Sequence, residues 1–358
     1  MITRYETKAI RVGALTIGGG APVAIQSMTK TKTTDVAATL QQIRELAAAG
    51  CELVRVAVPD EAAAAALPAI VAASPLPVVA DIHFNYRLAL AALDAGIAKL
   101  RINPGNIGGQ ERLAAVVEKA AQKNIPLRIG VNAGSLEKDL LAKYGVSPQA
   151  LVESAVNHIR LVERLHYDQL VISLKASSVP LTVAAHRLLA EKVSYPQHLG
   201  ITEAGAAFSG TIHSAVGIGA LLLDGLGDTV RVSLTADPVE EVRVAKEILT
   251  AAGVRRFGPR IISCPTCGRC RLDIRRLAEE IAARLDGMTE PLTLAVMGCA
   301  VNGPGEARDA DLGIAGGKDA GLIFRRGKVV KKVPQNKLVA EFVRMVEEMA
   351  GKRNEEQF

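Results

Sequence analysis

The sequence predicts an α/β chain in two parts, a TIM (β/α)8 barrel followed by a smaller α+β domain. Three observations predict it. Short runs rich in Val, Ile and Leu alternate eight times with Ala-rich stretches of helical periodicity. Polar residues gather at the carboxyl ends of nearly all these runs, where barrel active sites form. Four of the five cysteines lie beyond residue 260, after the barrel pattern has ended. A length of 358 residues admits two or three such units.

The eight runs are 22–28, 53–58, 77–83, 99–104, 127–133, 170–176, 198–204 and 229–236. Between most pairs lies one helix. The stretch 35–49 opens on Asp35, a natural N-cap, and 110–123 stops just before Asn124-Ile125-Pro126. A helix over 238–251 completes the barrel, and 253–260 reads as a linker. The barrel is assigned to residues 1–258 and the second domain to 259–358. In the latter a helix is expected over 272–285 and a strand over 292–297. A hairpin around Arg325-Arg326-Gly327-Lys328, an amphipathic helix over 336–350 and a frayed tail from Gly351 complete it. A doubly wound sheet is the alternative for the first domain.

The candidate site residues follow from strand parity. Gln26 and Ser27, Arg55, Asp81 and His83, Arg101 and Asn103, Arg128 and Asn132, Ser173 and Lys175, Thr202 and Glu203, then Arg231, Ser233 and Thr235 end the successive runs. Several pairs are spaced by two, which in a strand turns both side chains to one face. Four arginines and a lysine aimed into one cavity repel one another unless an anion such as a diphosphate sits among them. Pairing of each cation with Asp81, Glu203 or a helix-end acid is the alternative. Glycines at 105, 108 and 109, and at 217, 219, 225 and 227, offer backbone amides to phosphate or simply end helices. No strand-Gly-x-Gly-x-x-Gly-helix or Walker sequence occurs, so a nucleotide cofactor is not indicated.

A formal charge of +6 is compatible with nucleic acid, but the basic residues are dispersed and aromatics are only 3% with no Trp. Neither a phosphate-tracking stripe nor a base-stacking platform is supplied, and no nucleic-acid partner is expected. The amino terminus lacks the apolar stretch of a signal peptide and no run reaches membrane length, so a cytoplasmic protein with no membrane partner is expected. In that reducing setting clustered cysteines bind metal or do redox chemistry. Cys51, apart from the rest, is expected to be a buried core thiol.

Cys264-Pro-Thr-Cys267-Gly-Arg-Cys270 and Cys299 have spacings that suit structural zinc or an iron-sulfur cluster alike. Glu306, in a Gly-Pro-Gly turn after Cys299, adds a carboxylate within reach of the same centre. As an oxygen donor on a thiolate cluster it would be weak and displaceable, opening one iron to substrate; at a helix N-terminus it would merely favour the dipole.

Seven segments carry a resemblance to a known family. They are Gln-Ser-Met-Thr at 26–29, Ala-Asp-Ile-His-Phe at 80–84, Leu-Arg-Ile-Asn-Pro-Gly-Asn-Ile-Gly at 100–108, Arg-Ile-Gly-Val-Asn-Ala-Gly-Ser-Leu-Glu at 128–137, Gly-Ile-Thr-Glu-Ala-Gly at 200–205, Cys-Pro-Thr-Cys at 264–267 and Val-Asn-Gly-Pro-Gly-Glu at 301–306. Together, and in this order, they resemble the bacterial hydroxymethylbutenyl diphosphate synthases of the non-mevalonate isoprenoid pathway. The resemblance implies a barrel joined to a 4Fe-4S domain and the reductive conversion of methylerythritol cyclodiphosphate to hydroxymethylbutenyl diphosphate. It implies Cys264, Cys267, Cys299 and Glu306 as cluster ligands, with Cys270 outside the shell. Arg55, Arg101, Arg128, Lys175 and Ser233 are implied as diphosphate ligands, with Arg231 beside them and Asn103 at the same rim. It also implies a reduced flavodoxin or ferredoxin as electron donor and a head-to-tail homodimer. On this chemistry Glu203 is the expected proton donor, and Asp81, His83 and Asn132 position the substrate. The competing readings are a barrel lyase or pterin-type transferase with a zinc tail, and a basic iron-sulfur sensor of nucleic acid.

Overall fold

The computed structural model describes residues 3–300, 302–317 and 320–355. The chain divides into two units, the first ending at Arg255 and the second beginning at Arg256.

The first unit opens with a hairpin that the sequence reading missed, β1 (Ile10–Val12) and β2 (Leu15–Ile17), paired antiparallel. Ile10, Val12 and Ile17 pack on Leu53, Val79 and Val171 near the amino ends of barrel strands. They plug that end with side chains. The barrel strands are β3 (Ala24–Met28), β4 (Leu53–Ala57), β5 (Val78–Asp81), β6 (Lys99–Ile102), β7 (Leu127–Asn132), β8 (Leu170–Lys175), β9 (His198–Leu199) and β10 (Thr229–Val230). All neighbours are parallel, in the order β8-β7-β6-β5-β4-β3-β10-β9, and a bridge between Ile172 and Gln197 brings the two edges together. The outer helices are α1 (Val36–Ala48), α2 (Glu61–Ala73), α3 (Tyr86–Asp94), α4 (Gln110–Gln122), a short α5 (Lys138–Tyr144), α6 (Pro148–Glu163), α7 (Val179–Ala190), α8 (Ala207–Leu223) and α9 (Pro238–Ala251). Asp35 caps α1 as expected, accepting from the Ala38 amide at 3.0 Å.

One expectation is corrected here, and one open alternative is decided. The seventh and eighth strands are only two residues long, so Thr202, Glu203, Ser233 and Thr235 stand in the loops beyond them. Glu203 and Gly205 take positive φ values of 54° and 109°, which end the extended run. Gly217 and Gly219 lie inside α8, where their amides serve the helix, and Gly225 closes that helix at φ +81°. Gly217 serves packing, since a Cβ there would meet Ile201 at 2.5 Å, and Gly225 serves capping.

The second unit holds β11 (Arg260–Ser263), α10 (Ile274–Arg284), β12 (Thr293–Met297), the one-turn α11 (Gly303–Glu306), β13 (Leu312–Gly316), β14 (Gly321–Arg325), β15 (Lys328–Val333) and α12 (Leu338–Glu355). The sheet order is β11-β12-β13-β14-β15, with the first three strands parallel and the rest antiparallel. Helices α10 and α12 bury Leu277, Ile281, Phe342 and Val346 with Leu294, Val296, Ile314 and Ile323 of the sheet. Strands β11 and β13 were not expected. Gly313 lies flat on the Phe324 ring, where a Cβ would meet Cζ at 2.2 Å, and glycines of this kind dilute the β signal of the segment. Helix α12 runs on to Glu355 where a frayed tail was expected; the tail beyond it, like Val301 of the last motif, lies outside the described residues.

Candidate active site and metal centre

Parity on the barrel strands turns a set of cations inward. Arg55 on β4, Lys99 and Arg101 on β6, Arg128 on β7 and Lys175 on β8 are all buried, and Arg231, just past β10, is nearly so. Arg101 and Arg128 are register partners on adjacent strands, and Gly130 leaves room for Arg101, whose Nε would sit 2.7 Å from a Cβ there. Against these six stand two buried carboxylates. Asp81 accepts from Arg101 Nη1 at 3.0 Å and lies 3.7 Å from Arg55 Nε and 3.3 Å from His83 Nε2. Glu241, on α9, accepts from Ser27 Oγ and the Leu234 amide, both at 3.1 Å, and lies 3.2 Å from Lys30 Nζ and 3.7 Å from Arg231 Nη2.

The balance leaves positive charge over. Among the described residues none of the three guanidinium nitrogens of Arg128 has a hydrogen-bond partner, and Lys99 Nζ, Arg101 Nε and Arg231 Nε are likewise without one. Burial pushes the Arg55 guanidinium down to about 9, with Arg231 and Arg101 adding to the pressure and Asp81 opposing it. Burial, and then Arg55, pushes both Arg128 and Lys175 well below their ordinary values. Guanidinium groups nevertheless stay protonated, so an anion with several oxygens is what relieves this pressure. Burial acts to raise Asp81, but Arg55, His83 and Arg101 hold its carboxyl far below the usual carboxylate range.

The remaining expected residues distribute as follows. Half-exposed His83 stands at the rim against Asp81 and Arg101. Asn103 is buried; its Oδ1 accepts from the Gly105 amide at 3.2 Å and its Nδ2 donates to Ser135 Oγ at 3.2 Å, so it builds the loop after β6. Asn132 ends β7 opposite Lys175, half-buried, and Ser233 is half-buried in the loop past β10. Glu203 is exposed in its left-handed turn. The sequence reading missed two members, Lys99 and Glu241. Lys99 shares parity with Arg101 and was visible on that ground. Glu241 sits in a helix first turn, where acids are routine.

The second unit gathers its thiols by topology. Parallel β11 and β12 end side by side, with Ser263 opposite Val296, so Cys264 and Cys299 emerge at the same sheet end. The turn Cys264-Pro-Thr-Cys267 holds Thr266 at φ +65°, a costly position for a β-branched residue. After Cys299 the chain doubles back: its carbonyl accepts from the Gly303 amide at 3.2 Å, and Gly303 packs so closely that a Cβ would meet Met297 Cβ at 2.7 Å. A cavity of ≈ 210 Å³ results, lined by Cys264, Cys267, Cys299, Glu306, Arg269 and Asn302. These donors ring its wall; among the described residues no three Cys, His, Asp or Glu side chains meet closely enough to hold a single ion. Cys270 is not in that lining, and its thiol donates to the Leu272 carbonyl at 3.0 Å. The fifth thiol, Cys51, is buried as expected, and burial raises it to about 12.

A parallel barrel with a surplus of buried cations at its mouth, joined in one chain to a module with three thiols and a carboxylate around one cavity, is the arrangement of a barrel enzyme with a cysteine-rich second domain. Comparison with known proteins agrees. The GcpE TIM-barrel domain model matches residues 7–246, and the GcpE protein C-terminal domain matches residues 260–348. A curated protein of Geobacter sulfurreducens, 4-hydroxy-3-methylbut-2-en-1-yl diphosphate synthase (flavodoxin), is 58% identical over 98% of this chain and 100% of its own. Its namesake in Maridesulfovibrio salexigens is 56% identical over 97% and 98%. The chain belongs to the GcpE family of 4-hydroxy-3-methylbut-2-en-1-yl diphosphate synthases. Among solved structures, N-acetylneuraminic acid synthetase of Leptospira borgpetersenii matches with TM-score 0.52 and 13% identity, covering 79% of this chain and 98% of that one. Dihydropteroate synthase of Yersinia pestis matches at 0.50 and 12%, covering 68% and 97%. At such identity these two speak for the barrel fold alone, and the pterin-transferase alternative gains nothing from them. No helix among the described residues is long and apolar enough to cross a membrane.

Proposed function

We propose that the barrel binds 2-C-methyl-D-erythritol 2,4-cyclodiphosphate through its buried cations. The chain then opens and dehydroxylates this ring reductively to 4-hydroxy-3-methylbut-2-enyl diphosphate, with a 4Fe-4S cluster held by the second unit. The observation that carries the reading is Arg128, fully buried and with no hydrogen-bond partner for any guanidinium nitrogen among the described residues. A charge so placed is costly in the protein alone and is compensated by a polyanionic ligand.

Arg55, Arg101, Arg128 and Lys175 are the diphosphate clamp, with Arg231 and Ser233 beside them and Asn103 shaping the rim. As the carbon–oxygen bond to phosphate breaks, charge grows on the phosphate oxygen, and a preorganised cationic cavity favours that state over the ground state. Asp81 orients Arg55, Arg101 and His83, and Asn132 lies next to Lys175 to position the substrate. Glu203 delivers the proton to the departing hydroxyl.

Cys264, Cys267, Cys299 and Glu306 would hold the cluster. Donors ringing a cavity suit a polynuclear cluster better than tetrahedral zinc, whose bonds of about 2.3 Å draw four ligands to one point. When bound, the cluster supplies two electrons one at a time and a Lewis-acidic iron. Glu306, a hard oxygen donor among soft thiolates, would be the most readily displaced of these four. Reduced flavodoxin is the donor that the relatives' names point to. The protein acts in the cytoplasm as a head-to-tail homodimer in which each cluster domain serves the partner's barrel.

The test is anaerobic reconstitution and turnover of the cyclodiphosphate with reduced flavodoxin. Wild type becomes brown with absorbance near 400 nm and turns over; Glu306→Ala and Glu203→Gln lose turnover; Cys270→Ser retains the cluster. Loss of the cluster in Cys270→Ser, with Glu306→Ala fully active, would overturn the ligand set. A fully active monomer on dilution would overturn the dimer.

A further inference from the structure

Cys270 remains without a role in the reading above, yet it is built in closely. Its sulfur and that of Cys264 face the same point on the backbone. A Cβ at Gly298 would meet Cys270 Sγ at 2.6 Å and Cys264 Sγ at 3.2 Å, so only glycine admits the two thiols together. Both side chains pack on the same apolar cluster beneath the sheet end. Cys264 accepts the Gly298 amide at 3.2 Å, Arg271 donates its amide to the Gly298 carbonyl at 2.8 Å, and the Cys270 thiol is aimed by Leu272. The two thiols differ in access: Cys264 lines the cavity, and Cys270 does not.

We propose that Cys264 and Cys270 form a reversible disulfide when the protein is cluster-free and meets a peroxide, with Cys264 as the attacked thiol and Cys270 as the resolving one. The Cys264 thiolate attacks a peroxide oxygen, becoming a sulfenic acid while the other oxygen leaves as hydroxide and takes up a proton as water. The Cys270 thiolate then attacks the Cys264 sulfur and expels hydroxide, which takes the second proton. Two thiols and hydrogen peroxide thus give one disulfide and two waters. A dithiol returns two electrons and two protons and restores both thiols. The bond stops Cys264 from advancing to the irreversible sulfinic acid. The consequence for cluster loading rests on the assignment of Cys264 as a ligand; the disulfide itself does not.

The test uses full-length cluster-free protein, exposed to hydrogen peroxide, alkylated and digested with trypsin. Cleavage after Arg269 separates Cys270 from Cys264 and Cys267, and fragmentation tells those two apart. The expected product joins Cys264 to Cys270. A product dominated by Cys264–Cys267 or Cys267–Cys299, or no disulfide, overturns the proposal. In a second arm the oxidised protein is reduced with dithiothreitol and reloaded with iron and sulfide, and bound iron is measured. Wild type reloads fully; Cys270→Ser accumulates sulfinic acid at Cys264 and loses reloadable iron. Equal recovery by the two overturns the protective role. A Cys270→Ser protein that never takes up iron, even before peroxide, instead defeats the ligand assignment.

Discussion

Asp81 and Arg101 are register partners on neighbouring strands of the barrel, and the Arg101 guanidinium donates to the Asp81 carboxylate at 3.0 Å. The same carboxylate serves Arg55 and His83, so one acid restrains three groups at the barrel mouth. Asp81→Asn removes the charge and leaves the cations to repel one another. Breaking a buried pair in this way costs about 3–5 kcal/mol. The expected outcome is a lower thermal midpoint without ligand that inorganic diphosphate largely restores. In wild type the depressed carboxyl contributes stability that is complete above its ordinary value of 3.8 and fades as pH falls toward the folded-state value.

Arg128→Met should act in the opposite sense. Among the described residues the native guanidinium has no hydrogen-bond partner, and burial and the neighbouring cations outweigh its attraction to Asp81, so an apolar chain of similar length relieves a poorly compensated buried charge and raises unliganded stability by about 1–4 kcal/mol. Calorimetric titration with inorganic diphosphate should show binding abolished. A variant that loses stability as well would mean that Arg128 is held by the protein and not by the ligand.

The barrel was legible because its first six strands are long enough to show parity, and parity carried Arg55, Asp81, Arg101, Arg128 and Lys175 to the interior. Beyond the sixth strand that logic failed. Strands β9 and β10 are two residues each, and Glu203 and Ser233 are set by loop geometry that no periodicity encodes. Glu241 was invisible for another reason: it reaches Ser27 and Leu234 across 214 and 7 residues, a contact that exists only once α9 docks on β3. The thiol cavity was readable in its donors and unreadable in its walls, because β11 and β13 carry too weak a strand signal.

Glu241→Ala should therefore be among the more destabilising changes at the barrel mouth. It strips the acceptor from Ser27 and the Leu234 amide and leaves Arg231 and Lys30 without their carboxylate. A loss of about 3–5 kcal/mol is expected for such a buried acid, read from denaturant unfolding. Glu241→Gln keeps the hydrogen-bonding shape and should lose less.

Acid sensitivity should show a contribution from the loop after β7. Glu137 lies 3.0 Å from His158 Nε2 and accepts from Ser154 Oγ at 3.0 Å. Burial raises its carboxyl, but His158 and its hydrogen bonds outweigh that and hold it at about 2, against an ordinary 4.5. The folded state thus binds its proton later than the unfolded chain. The stability from this pair is complete above about pH 4.5 and is lost as pH falls toward about 2. Unfolding of wild type and Glu137→Gln, followed over that window, should converge as the pH drops; a constant gap would assign the effect to packing.

Glu203 offers a separation of stability from turnover. At φ +54° it occupies a backbone region that costs a residue with a Cβ about 1 kcal/mol, and its side chain is exposed, so packing does not explain why it is held there. Glu203→Gly relieves the strain at the expense of unfolded-chain entropy, so unfolding should shift by less than about 1 kcal/mol, in the stabilising direction. Turnover should nonetheless collapse in this variant and in Glu203→Gln, which keeps the strain and removes only the proton. If Glu203→Gln retains full turnover while Glu203→Gly does not, the turn's shape matters and the carboxyl is not the acid.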